Sequence, residues 1–139
     1  MKKLKIVIGV ILVGAIIGIL IGIRVFKKAE NSVANVKSEL TINGPQLVQE
    51  FETNEDSANS IYLGKIIEVS GTVNSITTDE QGINVYLKDN DAASGVMCSF
   101  DKAALDQTKL AQGQPIKIKG VCNGYLLDVV LNKCALSQN

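Results

Sequence analysis

Histidine and tryptophan are absent from the 139 residues, and aromatic side chains are few, three Tyr and three Phe. Without His the chain lacks the usual general base near neutral pH and the commonest metal ligand. Ser-His-Asp and Cys-His catalysis and most zinc sites are thereby excluded; carboxylate, Lys or Tyr chemistry stays open. Few aromatics leave little with which to stack nucleobases. Acidic residues are missing from the first 28 positions, where six basic ones lie (Lys2, Lys3, Lys5, Arg24, Lys27, Lys28). Cysteine is missing before Cys98, which predicts no acylated N-terminal Cys.

The formal charge of zero therefore conceals two unlike parts. From Ala29 onward 8 Lys face 14 Asp or Glu, a net −6. A segment this acidic repels phosphate backbones, whose neutralisation by Lys and Arg supplies most non-specific nucleic-acid affinity.

Ile6 to Ile23 is a charge-free run of 18 residues rich in Ile, Leu and Val. As a helix it would span roughly 27 Å, close to a bilayer core of about 30 Å. Val25 and Phe26 extend it, and Arg24 can reach back to the interface. Signal-peptide cores usually run about 7–15 residues and precede a neutral cleavage site, whereas here Arg24, Lys27 and Lys28 follow. The expectation is an uncleaved signal-anchor: a cytoplasmic tail at 1–5, a transmembrane helix at 6–26, a linker at 27–42 and one domain at 43–137. A short basic tail favours an exported domain, on the periplasmic or extracellular side of the cytoplasmic membrane, and three cysteines agree with an oxidising compartment. Gly14, Gly18 and Gly22 share one helix face and would permit a homodimer; equally, Gly is common in membrane helices, and Gly9 breaks the spacing.

Within the domain, Leu47, Phe51, Ala58 and Tyr62 recur at helical spacing, with acids largely between them, which predicts an amphipathic helix with a break near Thr53-Asn54. After Gly64 the period becomes two. Strands are expected over 65–79 (bent at Gly71), 83–89 and 96–101, then a short helix over 102–113. A closing hairpin of 115–122 and 125–137 turns at Asn123-Gly124. A long bent first strand, and a helix between the third and fourth, describe a five-stranded Greek-key OB-fold barrel. A small open α+β sheet is the rival.

Cys98, Cys122 and Cys134 allow one disulfide and a spare thiol, with the pairing open, or three buried apolar thiols. No CxxC or His accompanies them, so no metal is expected. Asp89-Asn90-Asp91 lacks the later ligands of a calcium loop. Glu55, Asn59, Tyr62 and Lys65 could line a small polar site; the plainer alternative is a helix that plugs one end of the barrel.

The run Asn54-Glu55-x-x-Ala58-Asn59-x-x-Tyr62-x-Gly64-Lys65-x-x-Glu68-Val69-x-Gly71-x-Val73 resembles the tRNA-anti-like family of bacterial OB-fold proteins. So does Cys98-x-Phe100 with Lys119-Gly120-x-Cys122-x-Gly124-Tyr125-x-x-Asp128-Val129-Val130-Leu131-x-x-Cys134. The resemblance implies an exported OB barrel behind a lipoprotein signal or membrane anchor, and implies little about activity. The expected function is a non-enzymatic binding module of the cell envelope, without a cofactor. It would engage a protein, an oligosaccharide or another small ligand, and nucleic-acid binding is the alternative.

Overall fold

The computed structural model describes residues 2–30 and 32–137. They fall into two compact units, Met1–Ser32 and Val33–Asn139.

The first unit is one helix, α1 (Lys2–Glu30), which contains the whole apolar run. Its described side chains from Ile6 to Ile21 are exposed, and nothing lies within 4 Å of where a Cβ would stand on Gly14, Gly18 or Gly22. Among the described residues no helix is long and apolar enough to cross a membrane. The side chains described in α1 stop at Gly22, one residue before the charge-free run ends, and that of Arg24 lies outside them. The expected transmembrane helix thus rests on the apolar run in the sequence alone.

The second unit begins with a single turn, α2 (Ser32–Asn35), and a strand, β1 (Leu40–Asn43). The segment expected to be linker therefore ends in a strand. Leu40 and Ile42 alternate with polar residues and pair in parallel with Ile67 and Val69, a partner too distant to be visible in so short a polar run. Two helices follow, α3 (Gly44–Thr53) and α4 (Glu55–Tyr62), divided at the expected break. Asn43 and Asn54 cap them, each side-chain oxygen accepting from the backbone N–H three residues on, of Gln46 at 2.8 Å and Ser57 at 3.0 Å. Asn54 ends one helix and starts the next, which is why the pattern breaks there.

The strands are β2 (Ile66–Thr78), β3 (Ile83–Leu87), β4 (Val96–Phe100), β5 (Pro115–Tyr125) and β6 (Val129–Leu136). They run in the order β2-β3-β4-β6-β5 and close through β2–β5, a five-stranded mixed barrel of OB type. One side of β2 pairs from Ile66 to Thr72 with β5. Its later half, Val73 to Thr78, pairs with β3. The change of partner falls between Thr72 and Val73, just after Gly71, and the register with β3 slips between Val73 and Ser75. Alternation places Ile67, Val69, Val73, Val85, Leu87, Val96, Ile118, Val129 and Leu131 inside, each no more than 2% exposed. Leu47 and Phe51 of α3 and Ala58 and Tyr62 of α4 join that core.

Two expected elements differ. Residues 102–113 contain only a 3₁₀ turn, Gln107–Lys109. Asp106 Oδ1 accepts from both Thr108 N (3.1 Å) and Thr108 Oγ1 (2.5 Å), a local competitor of helical bonding. The last hairpin turns at 126–128 rather than at Asn123-Gly124. Gly124 lies inside β5 at φ +96, where the register with β6 slips between Cys122 and Tyr125. The Asn-Gly pair marks a bulge in the strand, not its end.

Candidate functional site

The four residues expected to form a polar site are placed as follows. Glu55 is exposed in the first turn of α4, where its charge suits the helix N-terminus. Asn59 packs toward Gly124, and its Oδ1 is buried with no hydrogen-bond partner. Tyr62 is buried and donates to Glu50 at 2.6 Å. Lys65 is tied through its backbone to Tyr62 and Cys122. Burial first, then the hydrogen bond and charge of Glu50, raise the Tyr62 phenol to about 12. The arrangement is the helical plug: Phe51 lies 6.0 Å from the Tyr62 ring and 5.9 Å from that of Tyr125, stacked on the latter.

The cysteines are three free, buried thiols. Cys98 and Cys122 flank Leu131 from β4 and β5. Desolvation, reinforced by a hydrogen bond with Cys134, holds the Cys98 thiol well above its ordinary range. Burial also raises Cys122, opposed in part by the Gly124 N–H. Such thiols are apolar filling rather than nucleophiles. Among the described residues no group of three Cys, Asp or Glu could hold a metal.

What the fold does create is a cleft beside Gly71, of about 610 Å³. Its floor is a row across three strands, Asn43 on β1, Ser70 on β2 and Lys117 on β5, aligned by the registers Asn43–Ser70 and Ser70–Lys117. Thr72 and Pro115 form the next row, and Leu110, Ile116 and Leu136 give it an apolar wall. Ser70, Thr72 and Lys117 bring two hydroxyls and an ammonium to its lining. A second cleft of about 260 Å³, beneath the first turn of α3, shares Pro45, Gly71, Thr72 and Asp89 with the first. Gly71 sits between them. A Cβ there would stand 3.1 Å from Leu87 Cβ, so a side chain at this position would have to displace the buried Leu87.

A polar cleft of about 270 Å³ lies at the middle strands and includes Asp79, Asn84, Ser99, Asp101 and Lys133. Its groups satisfy one another: Asp79 accepts from Gln81 N, Gly82 N and Asn84, and Ser99 donates to Asn84. Tyr86 is the sole aromatic residue of β3.

Sequence reasoning missed Ser70, Thr72 and Lys117. A glycine flanked by two small hydroxyl residues inside a long strand was the available signal; the partner Lys117 needed the register.

The tRNA_anti-like family model matches residues 1–136. A proposed nucleic acid-binding lipoprotein from Klebsiella pneumoniae has a similar fold, with TM-score 0.58 and 22% identity, covering 70% of this chain and 92% of its own. The asparaginyl-tRNA synthetase of Pyrococcus horikoshii is similar at TM-score 0.42 and 14% identity, over 56% of this chain and 19% of its own. No curated protein matches the chain in sequence.

Proposed function

Because the chain belongs to the tRNA_anti-like family of OB-fold proteins, we propose that it is a binding module of the bacterial cell envelope, tethered by its N-terminal helix, that holds a small ligand in the cleft beside Gly71. One observation carries this reading: a cleft of about 610 Å³ that joins an apolar wall to hydroxyl and ammonium groups. Ligand sites have this size and mixture. The lining offers apolar contact, hydrogen bonds and charge, which hold a ligand without reacting with it. Tethering is supported by the 18-residue apolar run, and an envelope location by the lipoprotein neighbour.

That neighbour's name suggests nucleic acid as an alternative ligand. The net −6 after residue 28 and the acids Asp79 and Asp101 lining the polar cleft weigh against it. Salt-sensitive micromolar binding of an oligonucleotide would restore it.

The test of the cleft is Thr72→Trp. Thr72 is exposed and lines both clefts, so an indole there obstructs them without entering the core. The full chain extracted from its own membrane in mild detergent should carry a small-molecule adduct by native mass spectrometry, and the variant should lose it. Equal adducts on both, or none on either, would reject the cleft as the site.

A further inference from the structure

The β5–β6 hairpin ends in Tyr125-Leu126-Leu127-Asp128. Leu126 and Leu127 are 83% and 84% exposed, the most exposed large apolar side chains described in the barrel unit. The tip that presents them is held in place. Leu126 N donates to Asp128 O at 3.1 Å, Gly95 N donates to the Asp128 carboxylate at 2.8 Å, and Val129 N donates to Gly95 O at 3.0 Å. Tyr125 is stacked on Phe51. Leu63, itself 52% exposed, extends the apolar surface along the hairpin, with Cδ1 3.6 Å from the Cβ position of Gly124. A turn fixed from both flanks needs no apolar apex for its own stability. Two adjacent leucines fixed in water are a surface awaiting an apolar medium.

We propose that this hairpin tip is a membrane wedge: Leu126 and Leu127 seat in the interfacial layer of the bilayer that holds the N-terminal helix. The inference rests on the tethering reading above, and the tether also names the occupant. Between Phe26, the last residue of the apolar run, and Val33, the first of the barrel unit, stand six residues, most of them helical, so the tether is shorter than the roughly 25 Å of an extended chain. A domain of this size has a radius of gyration of about 13 Å, so it stays within its own width of the lipid. Charge does not draw it there, because a net −6 is repelled by anionic headgroups. Asp128 is the tip's one charged group, and it is engaged by Gly95. Docking is therefore apolar, indifferent to salt, and available on phosphatidylcholine.

The chain contains no Trp, so Leu127→Trp introduces a single indole. The full chain is reconstituted in phosphatidylcholine vesicles with lipids brominated near the head or near the tail of the acyl chain. Thr77→Trp, exposed at the far end of the β2–β3 pair, is the reference. The indole at 127 should shift to the blue and be quenched by shallow bromines at least threefold more than the one at 77. Adding Leu126→Asp should remove the excess. Quenching equal at the two positions overturns the wedge, and so does a blue shift without quenching, which would mean that protein covers the tip. Flotation of the vesicles reads the tether separately: a chain that floats with an unquenched tip defeats the wedge alone, and a chain that does not float defeats both.

Discussion

Asn54 performs two tasks with one residue. Its backbone N–H closes α3 on Glu50 O, and its side chain opens α4 on Ser57 N. Asn54→Ala should cost about 1 kcal/mol, a fall in Tm of about 4–8 °C for a domain of this size, measurable by thermal unfolding. Tyr62 gives a pH signature. Its phenol titrates near 12 when folded and near 10 when unfolded. Between those values the unfolded chain has lost a proton that the native state keeps. The contribution is therefore intact below pH 10 and falls away as pH rises toward 12. Urea midpoints at pH 9, 10 and 11 should decline in the native protein and decline less in Tyr62→Phe. The three thiols should resist a disulfide-exchange reagent in the folded chain and react once it is unfolded, because burial opposes the thiolate at Cys98 and Cys122.

At the scale of elements, what could be read in advance was whatever depends on near neighbours. The helical spacing of Leu47, Phe51, Ala58 and Tyr62, its break, and the period-two runs after Gly64 are local, and α3, α4 and β2 to β6 follow them. The losses were non-local or competitive. β1 exists because β2 has a free edge beyond β3, which no property of residues 40–43 announces. The 102–113 segment has helix-forming composition, yet Leu105 is its one buried apolar side chain among the described residues, and Asp106 diverts the backbone. The cleft shared this fate, since Ser70 was legible as a strand residue but its row with Asn43 and Lys117 was not. Gly124 supplies the test at this scale. Gly124→Ala places a side chain at φ +96 and should cost about 1–3 kcal/mol, read as a lower urea midpoint at unchanged slope.

For the whole molecule the decisive division is between an apolar basic helix and an acidic barrel. If the helix is an anchor, the chain should stay with membranes through alkaline carbonate extraction, and deletion of residues 6–23 should release it. The β2–β5 seam carries a consequence of a different kind. It joins Ile66–Thr72 to Pro115–Val121, and β6 lies beyond it in sequence, so the barrel cannot close until β6 has been made. Contacts of such long range make folding slow. On the ribosome β2, β3 and β4 would keep unpaired edges until β5 and β6 had followed them. The barrel can therefore close only once β6 has emerged, and a chain bound for the far side of a membrane that met the export machinery before then would meet it unfolded.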